Sequence, residues 1–336
     1  MNDRDNGYGF DSVGSEKSAF CRSVAEYSAD DVIKVREKKK SNALSITIEC
    51  ILVAVCIAIF GYSVTEIAFR VVETRANSEE YTDIRASAAS DPEVKRSSSL
   101  PEPTPLLSLT EAMGTGENSN YYIGDVESIN DIERRYKTYR NFLNIKSKYE
   151  NTYAWIYVDN TSGVVDYPVM KCDDNGYYLT HSYSGAESRN GAIFADCGVS
   201  DDYDTNLNNL IYGHNMKDGS MFRRLKTFLE QANRNALAKT MRIEIYTEKG
   251  LYVYNILSAY RDSNFTFTRT MFADSDEYYA YLKSIVSKNM LTTKFKYNAD
   301  SRICTLVTCA NITNDEDERY VMHGILTTFI PASKLG

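Results

Sequence analysis

The chain has 336 residues, 43% of them hydrophobic and 25% charged, with a formal net charge of −8. That length allows about two domains and one sizeable core. The acidic balance argues against nucleic acid as a partner, since that needs a basic surface.

The first 42 residues read as a polar cytoplasmic tail. Scattered Ser, Asp, Gly and Asn give way to a basic cluster, Lys34, Arg36, Lys38, Lys39 and Lys40. The run "ALSITIECILVAVCIAIFGYSV" follows over residues 43–64. As a helix it is about 33 Å long, enough for a hydrocarbon core of roughly 30 Å. Glu49 is close enough to the basic end to snorkel to the interface. The long polar lead and the lack of a prompt small-x-small site argue against a cleaved signal peptide. With the lysines before the span, the positive-inside rule keeps the N-terminus cytoplasmic and sends the rest outside. The expected topology is therefore a single-pass signal anchor in the cell membrane, its folded part extracellular.

Residues 65–125, rich in Ser, Glu, Pro and Ala, are expected to be an extracellular stalk, helical near the membrane and extended at "LPEPTP". The folded domain is placed at 126–336. Ile129, Ile132, Tyr136, Tyr139, Phe142 and Leu143 recur at helical spacing. From Trp155 the period shifts to two. "AWIYVDNTSGVVDYPVM", "GAIFAD", "NNLIYG", "MRIEIYTEKGLYVYNILSAYR", "RICTLVTC" and "RYVMHGILTTFI" read as strands. Met241–Tyr260 predicts a hairpin turning at Glu248-Lys249-Gly250. Two helices interrupt the strands. One lies near Ser220–Leu229; the other is "DSDEYYAYLKSIVSKNM", capped by Asp274 with Glu277. About eight short strands with few helices predict a mainly β, closed or nearly closed barrel.

Four cysteines lie beyond the apolar run: Cys172, Cys197, Cys304 and Cys309. Their spacing is not that of a disulfide framework, and a domain of this size needs no such staples. Cys309 ends a strand and opens a polar loop, where a rigid scaffold presents reactive groups. Cys304 has the opposite parity and reads as a buried hydrophobe. A thiol of ordinary pKa needs a partner to act, and a histidine is the usual one. His214, where "NNLIYG" runs into a glycine-containing loop, is the candidate; of its two competitors, His323 shares strand parity with Arg319 and Val321 and reads as packed, and His181 reads as ordering its loop. Arg319 opens the last strand beside the cysteine strand. It is suited either to an oxyanion or to a salt bridge with the preceding acidic run. Asp201, Asp202 and Asp204, or Asp315 to Glu318, lack the spacing of a calcium loop and read as solvated acidic loops, so no cofactor or metal is expected.

Taken together, "NNLIYGHNMKDGSMF", "TLVTC" and "ERYVMHGIL", with "DYPVMKCDDNGYYLTHSYSGAESRNGAIFAD" upstream, resemble a class B sortase over roughly Ile129 to Ile330. The resemblance implies an eight-stranded barrel with N-terminal helices and a helix before the cysteine strand. It implies a membrane-anchored cysteine transpeptidase of Gram-positive cell surfaces. Cys309 becomes the nucleophile, His214 the general acid–base and Arg319 the oxyanion or substrate stabiliser. The implied partners are secreted proteins with a C-terminal sorting motif, cut after Thr, and a lipid-linked peptidoglycan precursor supplying the amine. A pilin lysine as the amine, giving a pilus-assembling sortase, is the near alternative. A non-catalytic membrane-tethered binding protein is the alternative from another class. One departure stands out: Val307 occupies the position, two before the cysteine, where class B enzymes often have Ser.

Overall fold

A computed structural model describes residues 29–87, 129–160, 163–309 and 318–335. The early tail, most of the expected stalk with its "LPEPTP" segment, and the loop after Cys309 with Asp315 to Asp317 lie outside the described residues. By contact the chain divides into two units, residues 1–71 and 72–336. The first carries most of helix α1 (Ala29–Ser87), which holds a stretch long and apolar enough to cross a membrane by length and composition. Its apolar side chains, from Ile46 to Phe69, are exposed.

In the second unit, helix α2 (Ile129–Lys148) precedes strands β1 (Thr152–Asn160) and β2 (Gly163–Met170). Then come β3 (Ile193–Ala195), β4 (Asn208–Gly213), α3 (Arg223–Glu230) and α4 (Arg234–Thr240). The hairpin β5 (Arg242–Thr247) and β6 (Gly250–Asp262) leads to α5 (Ser275–Ser287), β7 (Ile303–Cys309) and β8 (Arg319–Pro331). The eight strands close in the order β1-β2-β3-β4-β7-β8-β6-β5. Closure leaves no long unpaired edge, and the expected barrel is what forms. The predicted hairpin turns where expected, with Thr247 facing Gly250. Pro168 sits one residue before the β2–β3 pairing begins at Val169, where a missing N–H costs nothing on that side.

The helix before the cysteine strand forms as the sequence predicts. Asp274 accepts from the Glu277 N–H at 2.8 Å, while Glu277 accepts from the Ala273 N–H at 2.6 Å. Its buried face is Tyr278, Tyr281, Leu282 and Ile285. Two local readings need correction. The helix after His214 starts later, at Arg223, and a second short helix follows it. Residues 72–87 are also not a free stalk: they continue the helix of α1, and Tyr81 and Ile84 are buried with the barrel core. A three-residue spacing puts those two apolar groups on one stripe, a signal that Glu- and Ser-rich surroundings concealed.

Helix α2 is held on the barrel by a buried charge cluster. Glu244 of β5, 3% exposed, accepts from Arg134 at 2.9 and 3.0 Å, from Arg135 at 2.8 Å and from the Tyr246 hydroxyl at 2.6 Å. Burial pushes the Glu244 carboxyl up, but Arg135 and Arg134 outweigh it and hold the group below its usual range.

Candidate active site

The parallel pairing of β4 with β7 runs without a slip from Asn208↔Ile303 to Gly213↔Thr308. His214 and Cys309 are the next positions along those two strands. On the other flank of β7, Cys309 pairs with Arg319 at the start of β8. Three adjacent strands thus deliver the three candidate residues to one end of the barrel, although they are far apart in sequence.

His214 is held from two sides. Its carbonyl accepts from the Phe222 N–H at 3.0 Å, and Asn215 bridges Met221, so the loop 214–222 folds back on the histidine. Asp218 accepts from the Ser220 N–H at 2.9 Å and from its hydroxyl at 2.6 Å, closing the tip. Gly213 permits this packing, because a Cβ there would lie 2.6 Å from the fully buried Phe222 ring. On the second side Gly191, at φ +56°, approaches so closely that a Cβ would lie 2.6 Å from His214 Nε2. That nitrogen is buried and has no hydrogen-bond partner among the described residues. Burial also pushes the His214 pKa below its usual value of 6.5, so the neutral imidazole is favoured at neutral pH.

The other two histidines are engaged elsewhere. His181 stacks on Tyr177 at 4.0 Å and its Nδ1 lies 2.9 Å from the Tyr177 carbonyl, which orders its loop. His323 is completely buried, with Nδ1 2.8 Å from the Thr305 hydroxyl and Nε2 2.9 Å from the Tyr260 hydroxyl. The proton order in this chain follows from chemistry. The Arg269 carbonyl can only accept, so Asn208 Nδ2 donates to it at 2.8 Å. Asn208 Oδ1 then takes the Thr305 hydroxyl proton at 2.7 Å. Thr305 has no second proton, so His323 Nδ1–H donates to it and Nε2 accepts from Tyr260. Burial, with Lys288 nearby, pushes the His323 pKa down to about 3.

Thr305, Val307 and Cys309 are alternate positions along β7, paired in turn with His323, Val321 and Arg319 on β8. The site is thus the outer rung of a ladder whose inner rung is the buried Thr305–His323 pair. Val307, 2% exposed, fills the rung between. Arg319 Nη1 donates to the Glu318 carbonyl at 3.0 Å, and its guanidinium lies 5.4 Å from the centre of the Phe265 ring. Cys304 is fully buried, and burial pushes its thiol pKa up, so it is not a reactive group. Cys172, Cys197 and Cys304 are free thiols.

Of the acidic residues weighed for calcium, Asp201, Asp202 and Asp204 are engaged by lysines. Lys249 Nζ lies 2.6 Å from Asp202 and 2.8 Å from Asp204, and Lys171 lies 2.6 Å from Asp201. Among the described residues, no group of three His, Cys, Asp or Glu side chains is placed to hold a metal ion.

Gly191 and Phe265 carried no signal in the sequence reading. Gly191 lies in a loop whose approach to His214 is a tertiary fact, and Phe265 looked like one more aromatic residue in a long connection.

A family model of the sortase domain matches residues 156–327. Sortase B of Listeria monocytogenes is 31% identical over 52% of this chain and 69% of its own. Sortase B of Staphylococcus aureus is 28% identical over 50% and 67% respectively. Among solved structures, a sortase B from B. anthracis superposes with a TM-score of 0.54 at 23% identity, covering 77% of this chain and 99% of its own. Another structure of that enzyme gives 0.50 at 26%, covering 60% and 99%. With the barrel, the helix before the cysteine strand and the matched sequence in agreement, the chain belongs to the sortase family of cysteine transpeptidases and is of the class B kind.

Proposed function

We propose that this sortase uses Cys309 as nucleophile, His214 as general acid–base and Arg319 as the oxyanion or substrate stabiliser. The observation that carries the assignment is the strand register that brings the three positions together at the ends of β4, β7 and β8. His214, neutral at rest, accepts the Cys309 proton. The thiolate then attacks the carbonyl carbon after the threonine of a C-terminal sorting signal, and the Arg319 guanidinium faces the charge that develops on oxygen. The C–N bond breaks as the imidazolium gives its proton to the departing amine, leaving a Cys309 thioester. An incoming amine attacks the thioester and loses a proton to His214, and the C–S bond breaks to return the thiolate. A depressed histidine pKa suits both halves, since the imidazolium is a strong acid once formed.

The substrate reading is a secreted protein with a sorting motif, and the amine is that of a lipid-linked peptidoglycan precursor. A sortase B of Staphylococcus aureus with the same fold has been solved in complex with its substrate. Residues 43–64 act as a signal anchor, with the cytoplasmic tail before them and the catalytic domain outside; the apolar run and the lysines preceding it support this.

Intact mass spectrometry of the full chain with a panel of sorting-signal peptides tests the proposal. A mass gain equal to the acyl half of one peptide, lost in Cys309→Ala, is expected. A persistent adduct in Cys309→Ala would overturn the assignment of the nucleophile.

A further inference from the structure

The two loops that hold His214 are both tied to one distant piece of chain. Tyr167 of β2 braces the first loop, its hydroxyl accepting from the Met221 N–H at 3.3 Å. The second loop, residues 182–191, ends at the glycine that meets the imidazole. Within it the Arg189 N–H donates to the Glu73 carboxylate at 2.8 Å. Glu73 lies near the end of α1, and two turns further on comes Tyr81, 4% exposed. The Tyr81 ring packs edge-on against Tyr167 at 5.0 Å and, tilted by 50°, against Tyr183 of the second loop at 5.3 Å. Arg85 completes the contact, its guanidinium 4.9 Å from the centre of the Tyr167 ring. A helix presents residues at these spacings along one side, so one stripe of α1 reaches both supports of the histidine.

We propose that the helical segment Glu73–Arg85 is a positioning strap for His214, clamping through Tyr167 and Arg189 the two loops between which the imidazole is held. The inference rests on reading His214 as the acid–base group and deepens it. The buried His214 Nε2 has no hydrogen-bond partner among the described residues, so the packing of its two loops sets its position and its dryness. Relaxing one loop admits water and lets the ring drift from the cysteine. A loss of alignment on the ångström scale is costly in such a step. The strap also follows directly in sequence on the apolar run, so a shortened chain beginning after residue 87 would lack a working part of the catalytic domain.

The test uses the full chain, labelled at histidine Cε1 and assigned with single His→Gln variants, and compares Tyr81→Ala with Tyr81→Phe. The Phe variant keeps the ring that packs on Tyr167 and Tyr183 and so retains the strap. In Tyr81→Ala the His214 titration is expected to move up toward about 6.5, the value for a solvated imidazole. Turnover of the cleaved peptide is expected to fall by about ten- to a hundredfold in kcat with little change in KM. The Phe variant behaves as wild type. His323, remote from the strap, is the control for folding and stays neutral throughout. If Tyr81→Ala does not fold, Glu73→Ala at a half-buried position gives the milder version, with Glu73→Gln, which still accepts from Arg189, as its rescue. Unchanged His214 titration in the Ala variants overturns the strap, as does a shift that His323 shares. Loss of peptide turnover in the wild type would sink the catalytic reading alone, because the titration is read without substrate.

Discussion

His214 and His323 both neighbour β7, one at its end and one beside its middle, and they are treated in opposite ways. Each ring nitrogen of His323 has a partner, the chain of donors and acceptors around it has one consistent proton order, and no surface is exposed. His214 has a buried nitrogen with no partner among the described residues, at the mouth of a loop, next to the cysteine position. Burial lowers both pKa values, so the direction of the shift does not separate a structural histidine from a working one. Satisfaction of the polar atoms does. A buried imidazole nitrogen with no partner among the described residues gives up stability there, and the register sets its residue one position beyond the pairing of β4 with the cysteine strand.

The largest effect expected from this contrast is at His214 itself. His214→Gln should lower turnover by about 10²–10⁴-fold, the usual worth of a positioned acid–base group, with almost no change in melting temperature. A fall in stability as large as that for a core residue would place His214 with His323. The next largest lies at the Glu244 cluster, the fully partnered charge of the opposite side of the barrel. Glu244→Ala leaves Arg134 and Arg135 facing each other without their carboxylate and should cost about 3–5 kcal/mol in denaturant unfolding. Since the folded-state pKa is depressed, the stability that Glu244 provides is full above its unfolded value. It is lost as pH falls through the folded value below that. The folded fraction of Glu244→Gln should therefore respond less to acid than wild type does.

His323→Gln breaks the partnered side of the comparison. Leaving Thr305 or Tyr260 unsatisfied should cost about 1–3 kcal/mol, while the activity of the molecules still folded is little changed. The sign of the pH effect is opposite to that of a histidine that gains a partner. The folded His323 stays neutral down to about 3. The unfolded one protonates near 6.5, so stability falls by about 1.4 kcal/mol per pH unit across that window. Acid titration of the melting curve should show the wild-type slope reduced in the Gln variant.

Much of this was legible in the sequence, for reasons that can be named. Period-two alternation in "RICTLVTC" and "RYVMHGIL" fixed which residues share a face, so Cys304 read as buried and His323 as packed. The Asp274–Glu277 spacing marked a helix start because the cap is a local interaction. What was not legible depends on contacts across the fold. No local pattern tells that Gly191 approaches His214, that Lys249 reaches Asp202 and Asp204, or that Tyr81 belongs to the barrel. The segment around Tyr81 has the composition of a linker, and only its partners, Tyr167 and Tyr183, make it part of the core.

The smallest effect, and the sharpest test of what holds the unpartnered histidine, is Gly191→Ala. At φ +56° an alanine pays roughly 1–2 kcal/mol for a left-handed conformation. Its Cβ also has no room, at 2.5 Å from the Tyr178 carbonyl oxygen and 2.6 Å from His214 Nε2. Backbone is the harder of those two neighbours to move, so the methyl displaces the imidazole first. About tenfold loss of kcat is expected, with a modest fall in melting temperature and with the His323 slope untouched. Gly191→Asn separates the two causes: asparagine tolerates the left-handed region but keeps the Cβ. If the asparagine variant recovers stability and not turnover, the close approach of Gly191 is what seats His214. Recovery of both would mean that backbone strain alone was responsible and that the imidazole is held by the loop 214–222.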